Sequence, residues 1–141
     1  MLVRLMYASR AAEPVKPETL NAILKKSTHN NPTVGVTGVL CFSGAVYLQV
    51  LEGGRAQVSA LYNRIVQDPR HHDVVLLSYD EIDERRFAGW AMGQVNMSRL
   101  NPALLLKYSD TAVLDPYAVS GKASQALFDE LVATASVMCL G

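Results

Sequence analysis

Between Val34 and Leu51 the chain carries no charge, and what this run becomes decides the fold. An unbroken apolar stretch of ~18 residues or more reads as a transmembrane helix. Here Gly35, Gly38 and Gly44 interrupt the run, Ser43-Gly44 reads as a turn, and β-branched residues flank it. The pattern predicts a hairpin, Val36 to Phe42 paired with Ala45 to Glu52, and no membrane span. In the second arm Tyr47, Gln49 and Leu51 share one face by the period of two. Gln49 is the anomaly of that strand. A carboxamide buried without partners costs roughly 1–3 kcal/mol, so the fold or a ligand must satisfy it.

The chain has 141 residues, enough for one domain with a single core. Half of them are hydrophobic (50%) and 18% are charged, which excludes disorder. Thirteen basic residues balance thirteen acidic ones, so the electrostatic footprint of a general nucleic-acid binder is missing and no direct nucleic-acid binding is predicted. Cys41 and Cys139 are the only cysteines and have no metal-site spacing. With no basic and apolar leader at the N-terminus, a reducing cytoplasm is the expected setting. His29, His71 and His72 lack the spaced carboxylate or cysteine that would complete a metal site, and read as surface histidines.

Leu2 to Ala8 reads as a strand with Val3, Leu5 and Tyr7 on one face. Pro17 suits a first helical position; Leu20, Ile23, Leu24 and Ser27 follow helical spacing, and Asn30-Asn31-Pro32 is expected to end that helix near His29. After the hairpin, Arg55 to Gln67 reads as a second helix striped by Val58, Leu61, Tyr62 and Ile65, closed by Asp68-Pro69. Val74 to Tyr79 is a strand, and Arg85-Arg86 reads as a solvated loop pair. Trp90 to Met97 is a short fifth strand, Ala103 to Lys107 a short helix, and Ser120 caps a last helix with Leu127, Leu131 and Met138 along one side.

The order strand–helix–strand–strand–helix–strand is the split βαβ pattern, an α+β, ferredoxin-like sheet with an extra fifth strand. Both helices are expected on one face, with the C-terminal helices on or near the other. The first and third strands are expected as a parallel central pair, setting Tyr7 beside Gln49 between the helices, with Asn31 at the rim. A phenol and two carboxamides around an apolar slot suit a flat heteroaromatic ligand.

The chain resembles the BLUF domain, a flavin-binding blue-light sensor, in its short stand-alone form. The resemblance runs through Leu5-Met6-Tyr7-Ala8-Ser9, Asn30-Asn31, Gly35-Val36-Thr37-Gly38-Val39-Leu40, Gln49-Val50-Leu51-Glu52-Gly53, Asp68-Pro69-Arg70-His71 and Arg85-Arg86-Phe87-Ala88-Gly89-Trp90-Ala91-Met92. It covers about residues 1 to 97, read as the flavin-binding domain, and leaves 98 to 141 as a helical extension. The resemblance implies non-covalent FAD between the two helices. Tyr7 and Gln49 are then the photoactive pair. Asn31 holds the pyrimidine edge of the ring, Ile23 and Ile65 sandwich it with Ser27 on the same helix face, and Arg70 and His71 reach the flavin's outer parts, with Arg70 on phosphate. Trp90 and Met92, on the fifth strand, relay the signal. Electron and proton transfer from Tyr7 and a rearranged Gln49 amide give a red-shifted signalling state, passed through the fifth strand and C-terminal helices to a partner protein, with a change of oligomer as one form of output.

Each residue alone has an ordinary explanation. Tyr7 and Trp90 suit a core, Asn31 suits a helix end, and Cys41 is a small hydrophobe. Two competing functions are a light-insensitive flavin- or nucleotide-binding regulatory domain and a small flavin oxidoreductase. Against an enzyme, the chain has no nucleophile–base–acid set and neither G-x-G-x-x-G nor G-x-x-x-x-G-K-[ST].

Overall fold

A computed structural model describes residues 1–89, 91–96, 100–133 and 138–139. The strands are β1 (Leu2–Ala11), β2 (Thr37–Ser43), β3 (Val46–Gly54), β4 (His71–Ile82), β5 (Gly93–Asn96) and β6 (Met138–Cys139). The helices are α1 (Pro17–Val34), α2 (Arg55–Gln67), α3 (Pro102–Leu106) and α4 (Gly121–Ala133). The six strands form one sheet in the order β4-β1-β3-β2-β5-β6.

Alternation along the strands builds two cores. Val3, Leu5, Tyr7 and Leu51 face Leu20 and Leu24 of α1 and Val58 of α2. Met6, Leu48 and Val50 face the opposite way, against Leu105 of α3 and Leu127 and Phe128 of α4. Helices α3 and α4 thus cover the second sheet face, as expected. Ser120 does cap α4, its Oγ accepting from the Ala123 amide at 3.1 Å, and Asn101 caps α3, its Oδ1 accepting from the Ala103 amide at 3.0 Å.

Several local expectations are corrected. The central strands β1 and β3 are antiparallel, with Leu2 opposite Gly54 and Arg10 opposite Val46. The reason is topological: α1 carries the chain from β1 to a parallel β2, and the hairpin then returns β3 between them. The parallel ladder lies elsewhere, between β2 and β5. Helix α1 does not stop at Asn30-Asn31-Pro32 but runs through Pro32 to Val34. A proline in the last turn removes a single ladder donor, and Gly35, at φ 71°, supplies the left-handed residue that ends the helix, where the Val36 amide reaches the Asn31 carbonyl at 2.9 Å. Strand β5 begins at Gly93, the first residue paired to β2, so Met92 precedes the strand; Trp90 and Met97 lie outside the described residues. Met138 is not on the last helix. It sits in β6, opposite Gln94 of β5. Arg85 and Arg86 are not simply solvated: Arg85 donates to Thr37 Oγ1 at 3.1 Å, and Arg86 pairs with Asp129 of α4.

Gly38 shows how closely the hairpin arms meet. A Cβ there falls 2.1 Å from the Val50 carbonyl oxygen, a main-chain atom that cannot swing aside. Gly38→Ala is expected to lower stability by ~3 kcal/mol or more, read as the shift of the urea unfolding midpoint.

Candidate functional site

A cavity of about 490 Å³ opens between α1 and α2 above the sheet. Helical spacing supplies two walls, with Ile23, Ser27 and Asn31 on one face of α1 and Leu61 and Ile65 on one face of α2. The floor is strand-built. Gln49 stands opposite Tyr7 of β1 on one side and opposite Leu40 of β2 on the other. Tyr47 lines the cavity one period along the same strand, and Met92 closes the end.

The floor is also where the polar chemistry lies. Tyr7 is 1% exposed, Asn31 4% and Gln49 6%. Burial holds the Tyr7 phenol far above its ordinary range, with Tyr47, Tyr62 and Asp68 adding to the effect. Tyr7 is therefore a neutral donor, and its hydroxyl donates a hydrogen bond to Gln49 Oε1. Gln49 Nε2 donates in turn to Met92 Sδ at 3.3 Å. A thioether is a weak acceptor, so a buried amide with two donor hydrogens is incompletely satisfied by the protein. Asn31 Nδ2 donates to the Ala91 carbonyl at 3.0 Å, tying α1 to the segment before β5.

The mouth carries charge. Asp68 and Arg70 form a close pair, 2.6 Å from Arg70 Nη2 to Asp68 Oδ2. Hydrogen bonding to Arg70 holds the Asp68 carboxyl down at about 2. Lys26 and Arg64 also line the cavity, and neither has an ion-pair partner among the described residues. His71 is half-buried, its Nδ1 2.8 Å from Ser9 Oγ, and its ring lies 5.2 Å from that of Tyr47 and 6.5 Å from that of Tyr7. It is an inner residue, unlike the exposed His29 and His72.

All the residues singled out as ligand-facing, Ile23, Ser27, Asn31, Gln49, Ile65, Arg70 and His71, line this one cavity, as does Met92. Arg70 nevertheless turns its guanidinium to Asp68. Sequence reasoning missed Leu40, Leu61, Lys26, Arg64 and Asp68 as lining residues. Leu61 was within reach, four residues before Ile65 on the α2 stripe. Leu40 needed the hairpin register.

The cavity fits a flavin on its own chemistry. Its volume lies within the ~300–1,000 Å³ of small-molecule sites. Ile23, Leu61, Ile65 and Leu40 offer apolar walls, and the under-satisfied Gln49 amide faces in from the floor. Lys26 and Arg64 suit phosphate at the mouth.

Comparison with known proteins agrees. A family model described as BLUF, sensors of blue-light using FAD, matches residues 2–93. The chain is 40% identical over 89 residues to the blue light- and temperature-regulated antirepressor BluF of Escherichia coli (strain K12), covering 62% of this chain and 22% of that protein. It is 37% identical over 92 residues to a photoactivated adenylate cyclase subunit beta of Euglena longa, covering 64% of this chain and 11% of that protein. The match thus spans about a tenth to a fifth of these curated relatives. Among solved structures, photo-activated BlsA superposes with a TM-score of 0.81 at 27% identity, covering 94% of this chain and 95% of that one. Dark-state BlrB, a BLUF protein, superposes at 0.79 and 29% identity, covering 95% and 96%.

Burial is the main force lowering the His71 pKa below its ordinary 6.5, with Asp68 opposing it. The unfolded chain therefore takes up a proton that the folded chain resists. This contribution to stability is complete above about pH 6.5 and is lost as the pH falls below it. The apo-protein is expected to unfold at a lower urea concentration at pH 5.5 than at pH 7.5, and His71→Gln is expected to flatten that dependence.

Proposed function

The chain belongs to the BLUF family of blue-light sensors using FAD, and from that premise we propose that Tyr7 and Gln49 are its light-responsive pair. The observation that carries the reading is the chain of bonds from the neutral Tyr7 phenol to Gln49 Oε1 and from Gln49 Nε2 to a weak sulfur acceptor. Bound FAD supplies absorption of blue light and an excited ring able to take up an electron. Tyr7 is placed to give that electron and its phenolic proton. Gln49 is the group whose change lasts. Its two amide ends are alike in size and opposite in hydrogen bonding. Turning the amide presents a donor to Tyr7 and an acceptor to Met92 and the cavity, with no change of charge. Asn31 holds the ring edge, Ile23 and Ile65 grip its faces, Ser27 lies beside Ile23, and Arg70 and His71 lie toward the outer parts of the cofactor.

Output follows from what Met92 and Ala91 touch. Both lie just before β5, which joins β2 to β6. A changed Gln49 favours a different placement of that segment. Residues 1–97 thus form the flavin unit, with Met92 and Trp90 as the relay, and residues 98–141 form an output segment whose helices α3 and α4 pack on the far sheet face. A partner protein reads that segment, or a second copy of the chain does. The relatives named as an antirepressor and a cyclase subunit support coupling to a protein effector. No helix among the described residues is long and apolar enough to cross a membrane, which suits a cytoplasmic setting.

The deciding experiment is the visible spectrum of the FAD-loaded chain in the dark and just after blue light. A small red shift that reverses in the dark is expected. Tyr7→Phe and Gln49→Leu are each expected to bind FAD within about tenfold of the native affinity, since each removes one hydrogen bond at most from the cofactor, and to abolish the shift. A flavin band that only bleaches, with turnover of a nicotinamide, would instead mark an oxidoreductase. Asn31→Ala is expected to weaken FAD binding roughly tenfold, the worth of one good hydrogen bond, measured by fluorescence titration.

A further inference from the structure

Glu52 is a carboxylate with no exposure to solvent, and the light-responsive pair does not use it. It lies three residues beyond Gln49 on β3, so its side chain points to the other face of the sheet. There it is fully engaged. Glu52 Oε2 takes hydrogen bonds from Arg4 Nε at 2.8 Å and from the Arg86 amide at 3.1 Å, with Arg4 Nη2 at 2.7 Å, and Oε1 takes one from the Phe87 amide at 2.7 Å. The Glu52 carbonyl also meets Arg85 Nη1 at 3.4 Å. A single side chain therefore pins the backbone of the segment that leaves β4.

That segment connects two places. Phe87 belongs to the core under the C-terminal helices, its ring 6.4 Å from that of Phe128, and Arg86 pairs with Asp129, both on α4. Five residues on, Met92 belongs to the core under α1 and α2. Its sulfur and the Ala91 carbonyl are the atoms held by Gln49 and Asn31. Phe87 and Met92 thus belong to the cores on opposite sheet faces, Met92 and Ala91 held by the amides of the site, and Arg86 and Phe87 by Glu52 and α4.

We infer that Glu52 is a positioning residue of the light response: by fixing the backbone at Arg86 and Phe87, it makes the Arg85–Met92 segment a link between Gln49 and α4. The inference rests on the light-sensor reading. Without the fixed point, a displacement at Met92 dissipates within the loop. With it, the short path between two anchors passes the displacement to Phe87 and so to Phe128.

The test uses the full FAD-loaded chain, read by absorption and by hydrogen–deuterium exchange, in the dark and under steady blue light. In the native chain, light is expected to shift the flavin band and to speed exchange at least roughly threefold both at 91–93 and along α4. In Glu52→Gln the band shift is expected to keep its size, residues 86–89 to exchange about tenfold faster already in the dark, and α4 to stop responding to light. A merely structural role would slow or speed exchange equally in both light conditions and leave the α4 response in place. Because Glu52→Gln strands the buried Arg4 charge, Arg4→Met with Glu52→Gln is the second variant, with the same expectation and no lone charge. Either variant passing the light response to α4 as the native chain does overturns the inference, as does a native chain whose α4 ignores light. A native chain whose flavin band does not shift overturns the sensor reading and the coupling with it, and the spectrum alone tells that outcome from the others.

Discussion

Tyr7 and Gln49 meet because β1 and β3 pair antiparallel in one particular register. The side-chain period of a strand is two, so a slip of one residue would turn every side chain on the slipped strand to the opposite face. What holds the register is apolar. Val3, Leu5 and Leu51 fill one core, and Met6, Leu48 and Val50 fill the other. Burying each such side chain is worth ~1.5–3 kcal/mol, so a slip forfeits far more than an imperfect amide costs. The strands tolerate a poorly satisfied Gln49 because its neighbours on both faces leave it no other place.

Two buried polar side chains on β3 make an instructive contrast. Glu52 has four donors and a single arrangement that suits them. Gln49 has a phenol on one side and a sulfur on the other, and turning its amide end for end keeps its shape. A saturated site is rigid and a partly satisfied one has alternatives close in energy. Stiffness and freedom to change thus sit three residues apart on the same strand.

The helix-flanked sheet, both long helices and the convergence of Tyr7, Gln49 and Asn31 were legible in the sequence, because period two, period 3.6 and glycine or proline punctuation report local geometry directly; the division into two cores, where one was expected, was not. The antiparallel direction of β3 relative to β1 was implied by the crossover and the hairpin together, and the expected parallel pair misread that topology. What was not legible depended on distant partners. Pro32 reads as a stop, yet the buried Asn31 before it bonds to Ala91, sixty residues away, and Gly35 ends the helix instead. Glu52 reads as the polar end of a strand. Its partners at Arg86 and Phe87 are backbone amides, which carry no side-chain signature.

The strand order has a mechanical consequence. The long strands β1, β3 and β4 occupy one side of the sheet, while β5, four residues long, and β6, two residues long, lie together at the other edge. Moving β1 or β3 would break long ladders on both sides and unseat both cores. Moving β5 breaks a few hydrogen bonds of ~0.5–1.5 kcal/mol each on its way past β2. The sheet is graded, stiff under the cavity and compliant at the β5–β6 edge, and the proposed turn of the Gln49 amide relies on this difference to act beyond its own pocket.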